Sequence, residues 1–226
     1  MEWSSGNVFN PFNPMKAMAH LGRYLEISNY LLDPSGLLRQ VKDKNISLPM
    51  PSMITVDPIN ACNLKCEHCN SHDLLSVRTH MIDYNNFDEF IYGTDFTNTH
   101  SDHKVRAMWF VGGGEPTLHP RFAEMIEAAY DIGLKVGIVT NGVNIDQITE
   151  TLQLIEWVGV SVDAATPDVF ESIKGRDYFD KVIENIRFLC KRFKNKNRNR
   201  GIHFKFLITP KNVHQIFKAA DRKSVV

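Results

Sequence analysis

From residue 53 onward, short apolar runs alternate with longer stretches in which apolar residues recur at helical spacing. The runs are Met53 to Val56, Val105 to Val111, Lys135 to Val139, Trp157 to Val162 and Ile202 to Ile208. They are rich in β-branched and aromatic residues and are punctuated by Gly, Pro, Asn and Asp, which marks strands. The intervening stretches predict helices over Phe87–Phe96, Pro120–Ile132, Asn144–Leu154, Thr166–Phe193 with a break at Gly175, and Asn212–Ala220. Pro120 opens its helix and Gly133 follows the end, the expected asymmetry. The result is five strand–helix units.

Strands that alternate with helices form a parallel sheet with right-handed crossovers. Several of these strands are apolar on both faces, as a covered sheet requires. The fold class is therefore α/β. A partly closed β/α barrel and a doubly wound sheet both fit, and in either the function lies at the carboxyl ends of the strands. Residues 1–50 read differently. An irregular lead-in over 1–14 precedes a helix over 15–32, with Met18, Leu21, Tyr24 and Leu25 at helical spacing. Asp33-Pro34-Ser35-Gly36 breaks it, a short helix runs from Leu37 to Asp43, and Pro49 and Pro51 mark a boundary. The expected division is a helical appendage over 1–50 and a main domain over 51–226.

Composition narrows the partners. Apolar residues are 43% of 226, enough for a sizeable core, and 26 Lys plus Arg balance 26 Asp plus Glu. A net charge of zero points away from nucleic acid and from anionic membranes. The Lys-, Arg- and Asn-rich stretch from Lys191 to Arg200 reads as a solvated loop, since no aromatic residues interleave beyond Phe193. No run approaches the ~18–20 apolar residues of a membrane span. The start, Met1-Glu2-Trp3-Ser4-Ser5-Gly6, has neither a basic nor an apolar signal segment. Together with reduced cysteines, this points to the cytoplasm.

Three of the 4 cysteines fall in Cys62-Asn63-Leu64-Lys65-Cys66-Glu67-His68-Cys69, spaced C-x3-C-x2-C, directly after the first strand. Bare thiolates repel, so thiolates this close converge when a metal holds them: an iron–sulfur cluster or zinc. Three thiolates leave one iron of a four-iron cluster open for a cofactor or substrate. Zinc would take His68 or His72 as fourth ligand. Three free or disulfide-bonded cysteines in a loop are the remaining alternative. Cys190 shares helical spacing with Ile183, Ile186 and Phe193 and reads as core; a single further thiol holds no second cluster.

The other strand ends carry further candidates. The second ends in Gly112-Gly113-Gly114-Glu115-Pro116-Thr117, which is neither a dinucleotide fingerprint nor a Walker loop. Its bare backbone beside a carboxylate suits an ammonium group, although Gly-Gly-Gly alone is as well explained by a tight turn. The third ends in Thr140-Asn141-Gly142, a plain turn when taken alone. The fourth carries Ser161 and Asp163. Asp163 is read three ways: binding ribose hydroxyls, capping a helix or lying in solvent. His72, His80, His100 and His103 read as surface histidines, His119 as orienting the helix start, and Asp57 and Asn60 as shaping the cysteine loop.

Taken together, the cysteine loop after strand one and Gly113-Gly114-Glu115-Pro116 after strand two resemble the radical S-adenosylmethionine (SAM) enzyme family over roughly residues 52–210. The resemblance implies a partial parallel β/α barrel and a 4Fe–4S cluster whose three irons bind Cys62, Cys66 and Cys69. The fourth iron would be chelated by the amino and carboxylate groups of S-adenosylmethionine. Gly113, Gly114 and Glu115, in the motif that Pro116 closes, would hold the methionine amino group. Asn141 would lie near the methionine or ribose, Ser161 and Asp163 would contact ribose or carboxylate, and the backbone at His68 would touch adenine. The implied activity is reductive cleavage of S-adenosylmethionine to a 5′-deoxyadenosyl radical that abstracts hydrogen from an unidentified peptide or small molecule. The electron would come from a donor such as flavodoxin or ferredoxin. The family barrel has six β/α units and five are counted here, so a C-terminally incomplete, non-catalytic fragment stays open as an alternative. A zinc-stabilised Cys3His module does too.

Overall fold

The computed structural model describes residues 53–71, 79–94, 96, 105–193 and 201–225. The helices expected over 15–32 and 37–43, and the appendage they would form, lie outside the described residues. Five parallel strands make one sheet in sequential order: β1 (Met53–Val56), β2 (Ala107–Phe110), β3 (Lys135–Thr140), β4 (Ile155–Ser161) and β5 (Gly201–Lys205). The helices are α1 (Tyr84–Gly93), α2 (Phe122–Asp131), α3 (Pro167–Lys174), α4 (Phe179–Phe193) and α5 (Ile216–Val225). Sequential order excludes the doubly wound alternative, which reverses strand order at a switch point.

Side chains alternate across each strand, and the two faces differ. Ile54, Val56, Met108, Phe110, Val136, Ile138, Val158, Val160, Ile202 and Phe204 pack with residues of α1 to α4 in one large core. Trp157 and Ala107, with Met53, Trp109 and Val139, form a separate small cluster on the other face. One helix-covered face and one face with its own short aromatic cluster is the arrangement of a partial barrel. Phe110 is central to the large core, with its ring 5.2 Å from Phe122 and 6.1 Å from Phe87. Cys190 packs against the same core, as its spacing predicts. Among the described residues no helix is long and apolar enough to cross a membrane.

Several boundaries have local causes. α1 starts three residues earlier than its apolar spacing predicts, because Asp83 Oδ1 accepts from Asn85 N at 2.9 Å and Asn86 N at 3.2 Å. α3 stops where Gly175 takes φ +69°. β5 is shorter than the apolar run to Ile208, and the Leu207 N–H turns instead to the Asp163 carboxylate. The helix expected over Asn144–Leu154 is absent and two 3-10 turns, Ile145–Ile148 and Leu152–Leu154, stand there. That stretch is rich in β-branched residues, and its threonines bond their own backbone: Thr149 Oγ1 donates to Asp146 O at 2.6 Å and Thr151 Oγ1 to Ile148 O at 3.1 Å. Both features compete with an α-helix. The last helix also begins later than expected, after a 3-10 turn at Val213–Gln215.

Truncating Phe110 to alanine removes the ring that α1 and α2 share. Urea unfolding is expected to show a loss of about 3–5 kcal/mol, as for other fully buried aromatic residues.

Candidate active site

The loops after β1, β2, β3 and β4 meet at one rim. The segment after β1 is held by the chain itself before any cofactor is considered. Asp57 Oδ2 accepts from Gly113 N at 2.9 Å, Ala61 O accepts from Glu115 N at 2.8 Å, and Asn60 and His80 pair through Asn60 N to His80 O at 3.0 Å. Asp57 and Asn60 thus shape the loop, as expected of them. Further along, Lys65 N donates to Lys174 O at 2.9 Å and Glu67 N to Ile173 O at 2.8 Å, so the two N–H groups flanking Cys66 dock on the last carbonyls of α3.

The glycines after β2 are explained largely by this contact. A Cβ on Gly112 would stand 1.9 Å from the Asp57 carboxylate, and one on Gly114 would stand 2.1 Å from Ile59 O and 2.5 Å from Ala61 O. At Gly113 the nearest atom would be Ser71 Oγ at 3.1 Å. The close backbone approach that glycine permits is used at Gly112 and Gly114 by the cysteine segment. Pro116 then opens a 3-10 turn over Pro116–Leu118, and His119 behind it accepts from Arg121 N at 3.2 Å and meets Ile82 O at 2.9 Å. That fits its expected role of orienting the helix start.

Glu115 points inward and is 2% exposed. Oε1 accepts from Thr140 Oγ1 at 2.6 Å, Thr117 Oγ1 at 2.7 Å and Thr117 N at 3.3 Å, and Oε2 accepts from Asn141 N at 2.7 Å. Burial pushes this carboxyl above the ordinary range, and the four donors pull against it. Asn141 continues the chain of contacts: its Nδ2 donates to Asn63 Oδ1 at 2.6 Å and reaches Cys62 Sγ at 3.9 Å, while its Oδ1 accepts from Val143 N at 3.0 Å.

Cys62, Cys66 and Cys69 are half-buried free thiols, and Cys62 and Cys69 both act on Cys66. Burial raises Cys62, opposed by the Leu64 N–H at 3.5 Å. Burial also pushes Cys66 up to about 11, against the pull of the Lys174 ammonium. Among the described residues no three His, Cys, Asp or Glu side chains converge on a point that a single ion would fill. A 4Fe–4S cluster is held by cysteine thiolates. Three neighbouring free thiols on a hydrogen-bonded loop fit that group. His68 Nε2 faces Asp163 Oδ2 at 3.6 Å, and burial, then Lys174, lowers its pKa against the pull of Asp163.

Ser161 ends β4, half-buried and in register with Lys205. Asp163 takes φ +61° and is 3% exposed, which removes the solvated alternative. Its Oδ1 accepts from Leu207 N at 2.6 Å, its backbone O accepts from Asn212 Nδ2 at 2.8 Å, and its Oδ2 pairs with the Lys174 ammonium. Lys174, 2% exposed, was not singled out in the sequence. The available signal is its position four residues after Phe170 and one after Ile173, on the apolar stripe of α3. Of the candidate histidines, His80 is exposed, while His72, His100 and His103 lie outside the described residues.

A family model of the radical SAM superfamily matches residues 56–204, which include the three loop cysteines, Gly113 to Pro116, Asn141, Ser161 and Asp163. The chain belongs to the radical SAM superfamily. Members of this superfamily bind a 4Fe–4S cluster and S-adenosylmethionine. Similar radical SAM proteins include the mycofactocin maturase MftC of Mycobacterium tuberculosis, 28% identical over 194 residues, or 82% of this chain and 45% of the relative. A probable GTP 3′,8-cyclase of Sulfurisphaera tokodaii is 34% identical over 107 residues, or 46% of this chain and 33% of the relative. The chain thus spans less than half the length of these relatives, both of them enzymes. The fold matches that of Streptococcus suis SuiB bound to S-adenosylmethionine, with a TM-score of 0.59, 18% identity and coverage of 92% of this chain and 47% of that one.

Three substitutions separate the structural duties of the rim. Glu115→Gln sets an amide N–H2 against either the Asn141 N–H or the Thr117 N–H, and a loss of about 1.5–3 kcal/mol in urea unfolding is expected. Gly114→Ala forces a methyl into two carbonyls and should lose about 1–3 kcal/mol, whereas Gly113→Ala, facing only a serine hydroxyl, should cost less than either.

Proposed function

We propose that this chain binds a 4Fe–4S cluster through Cys62, Cys66 and Cys69, binds S-adenosylmethionine at the open iron, and initiates radical chemistry on a peptide or small-molecule substrate. The observation that carries the reading is the unbroken hydrogen-bonded path from Glu115 through Asn141 to Asn63 and Cys62, which makes one unit of the two motif loops. When bound, the cluster and S-adenosylmethionine together supply one-electron cleavage of the sulfonium carbon–sulfur bond, giving a 5′-deoxyadenosyl radical for hydrogen abstraction.

The chain's own residues do the rest. The Leu64 N–H and the Asn141 amide stabilise the Cys62 sulfur as thiolate. Glu115 acts as a positioning residue in this reading: its carboxylate holds Thr117, Thr140 and Asn141, and the backbone of Gly113 and Gly114 offers the polar groups that receive the methionine ammonium. Ser161, at the end of β4, and the backbone at His68 border the nucleoside portion. Asp163 acts through Lys174 and Leu207. The loops exclude water by docking on one another. A flavodoxin or ferredoxin is the fitting electron donor.

The test is anaerobic reconstitution with iron and sulfide, reduction, addition of S-adenosylmethionine and quantification of 5′-deoxyadenosine. About four irons and four sulfides per chain, with product that disappears in Cys66→Ala, is the expected result. A loaded chain without product supports the non-catalytic alternative. One zinc per chain in place of iron and sulfide overturns the reading.

A further inference from the structure

We propose that Lys205 is a specificity-determining residue: on the sheet face opposite the large core, beside the Trp157 and His203 rings, its ammonium receives an anionic group of the substrate, a carboxylate or a phosphate. The inference rests on the radical-enzyme reading above and names the chemistry of its substrate.

Strand alternation puts Gly201, His203 and Lys205 of β5 on this face, because Ile202 and Phe204 between them pack into the large core. On β4, Trp157 lies opposite Gly201, Gly159 opposite His203 and Ser161 opposite Lys205. The neighbours converge on Gly159. A Cβ there would stand 2.5 Å from Trp157 Cη2 and 3.0 Å from Lys205 Cδ. The lysine stem thus leaves β5 and crosses β4, toward the middle of the sheet. The His203 ring lies 5.2 Å from that of Trp157, which Trp109 meets edge-on at 5.7 Å. The Lys205 carbonyl accepts from Val162 N at 3.1 Å, which fixes the residue at the end of β4. Its register partner Ser161 borders the nucleoside portion in the reading above, so a substrate anchored here lies beside the cofactor.

Packing alone does not account for an ammonium here. A methionine would cover Trp157 and Gly159 without a charge. Lys205 is half-buried, yet among the described residues it has no ion pair and its ammonium no hydrogen-bond partner. The charges that act on it are those of Asp163 and Lys174. They are committed elsewhere: Asp163 pairs with Lys174, accepts from the Leu207 N–H and faces His68. The ends of α3, β4 and β5 thus set two ammoniums, Lys174 and Lys205, against one carboxylate. Burial holds Lys205 below the ordinary lysine range against the pull of Asp163, and Lys174 adds to the lowering. A half-buried cation without a counter-ion is satisfied by an anion from outside, through a charge-assisted hydrogen bond. The rings beside it supply flat apolar surface. The fitting ligand is an anionic group on an aromatic or apolar body.

The measurement is isothermal titration calorimetry of benzoate and of phenyl phosphate into the reconstituted full chain, with benzyl alcohol as the neutral analogue. It is run anaerobically at fixed ionic strength, without and with S-adenosylmethionine. Saturable binding of at least one anion, about tenfold or more tighter than benzyl alcohol, is expected, and the tighter anion tells carboxylate from phosphate. Lys205→Arg should keep the affinity. Lys205→Met should lose about tenfold of it while binding S-adenosylmethionine as wild type does. Should Lys205→Met unfold, Lys205→Gln takes its place; if both unfold, the ammonium is structural and the inference falls. Anions that bind no tighter than the alcohol, or as tightly to the folded variant as to wild type, overturn it. So does an anion displaced by S-adenosylmethionine, since the cofactor's own carboxylate is then the occupant. A chain that takes up no iron and sulfide sinks the cluster reading and this inference with it; a loaded chain without Lys205-dependent anion binding sinks this inference alone.

Discussion

The buried carboxylate of Glu115 is the constraint around which the rim closes. A carboxylate removed from water is tolerated only when its lone pairs are satisfied, and charge-assisted bonds are the strong ones. Here the donors come from its own 3-10 turn and from the end of β3. Thr140 and Asn141 are thereby fixed at the place where β3 gives way to loop. Asn141 passes that order on, because an amide held by its backbone N–H aims its side chain at Asn63 and Cys62. The cysteine segment is also bonded to the glycine loop through Asp57 and Ala61. Remove the carboxylate, and the donors of two loops are left facing one another.

The opposite side of the rim uses a second buried charge in the same way. Asp163 adopts a left-handed conformation that a non-glycine residue holds only when its surroundings demand it. The demand comes from Lys174, Leu207 and Asn212, which lie in α3, after β5 and before α5. Gln215 extends the same seam, its Oε1 accepting from Ala165 N at 2.7 Å. Two buried carboxylates thus tie the strand ends together, one at β2 and β3 and the other at β4 and β5, with the cysteine loop between them.

Much of this was legible in the chain. The five strands follow from runs too short for helices and too apolar for loops. Gly175 marks a helix end, because a chain that must take positive φ there finds glycine cheapest. The cysteine spacing and the glycine–glutamate motif name the family, whose model covers the same residues. What the sequence conceals is direction. Glu115 beside three glycines reads as a carboxylate offered to a ligand, yet it turns into the core, because Thr117 and Thr140 supply hydroxyls that only the fold brings together. Lys174 looks like an ordinary basic residue at a helix end; its burial depends on Asp163, eleven residues earlier in the chain. The stretch Asn144–Leu154 has helical spacing, but its threonine hydroxyls draw the backbone into 3-10 turns, a local competition that periodicity does not record.

The seat of the cysteine loop carries an electrostatic cost. The loop docks on the C-terminal end of α3, where exposed carbonyls give the helix its partial negative charge. For the backbone this is favourable, since Lys65 N and Glu67 N satisfy carbonyls that would otherwise end unpaired. For thiolates it is the wrong end of the dipole. Burial compounds the difficulty, lifting the Cys66 thiol to about 11. At the proposed cluster site, metal binding would therefore displace protons from Cys62 and Cys66, which burial favours in the neutral form. A cation with a solvated head would not help, because water would screen it. Lys174 lies inside the packed junction, its side chain paired with Asp163 and its carbonyl accepting from Lys65 N. A loop seated instead at a helix N-terminus would gain thiolate stability from the dipole, but would face N–H donors rather than the acceptors that its own N–H groups need. At this junction one residue, Lys174, contributes both a carbonyl that accepts from the loop and a buried side chain that pairs with Asp163.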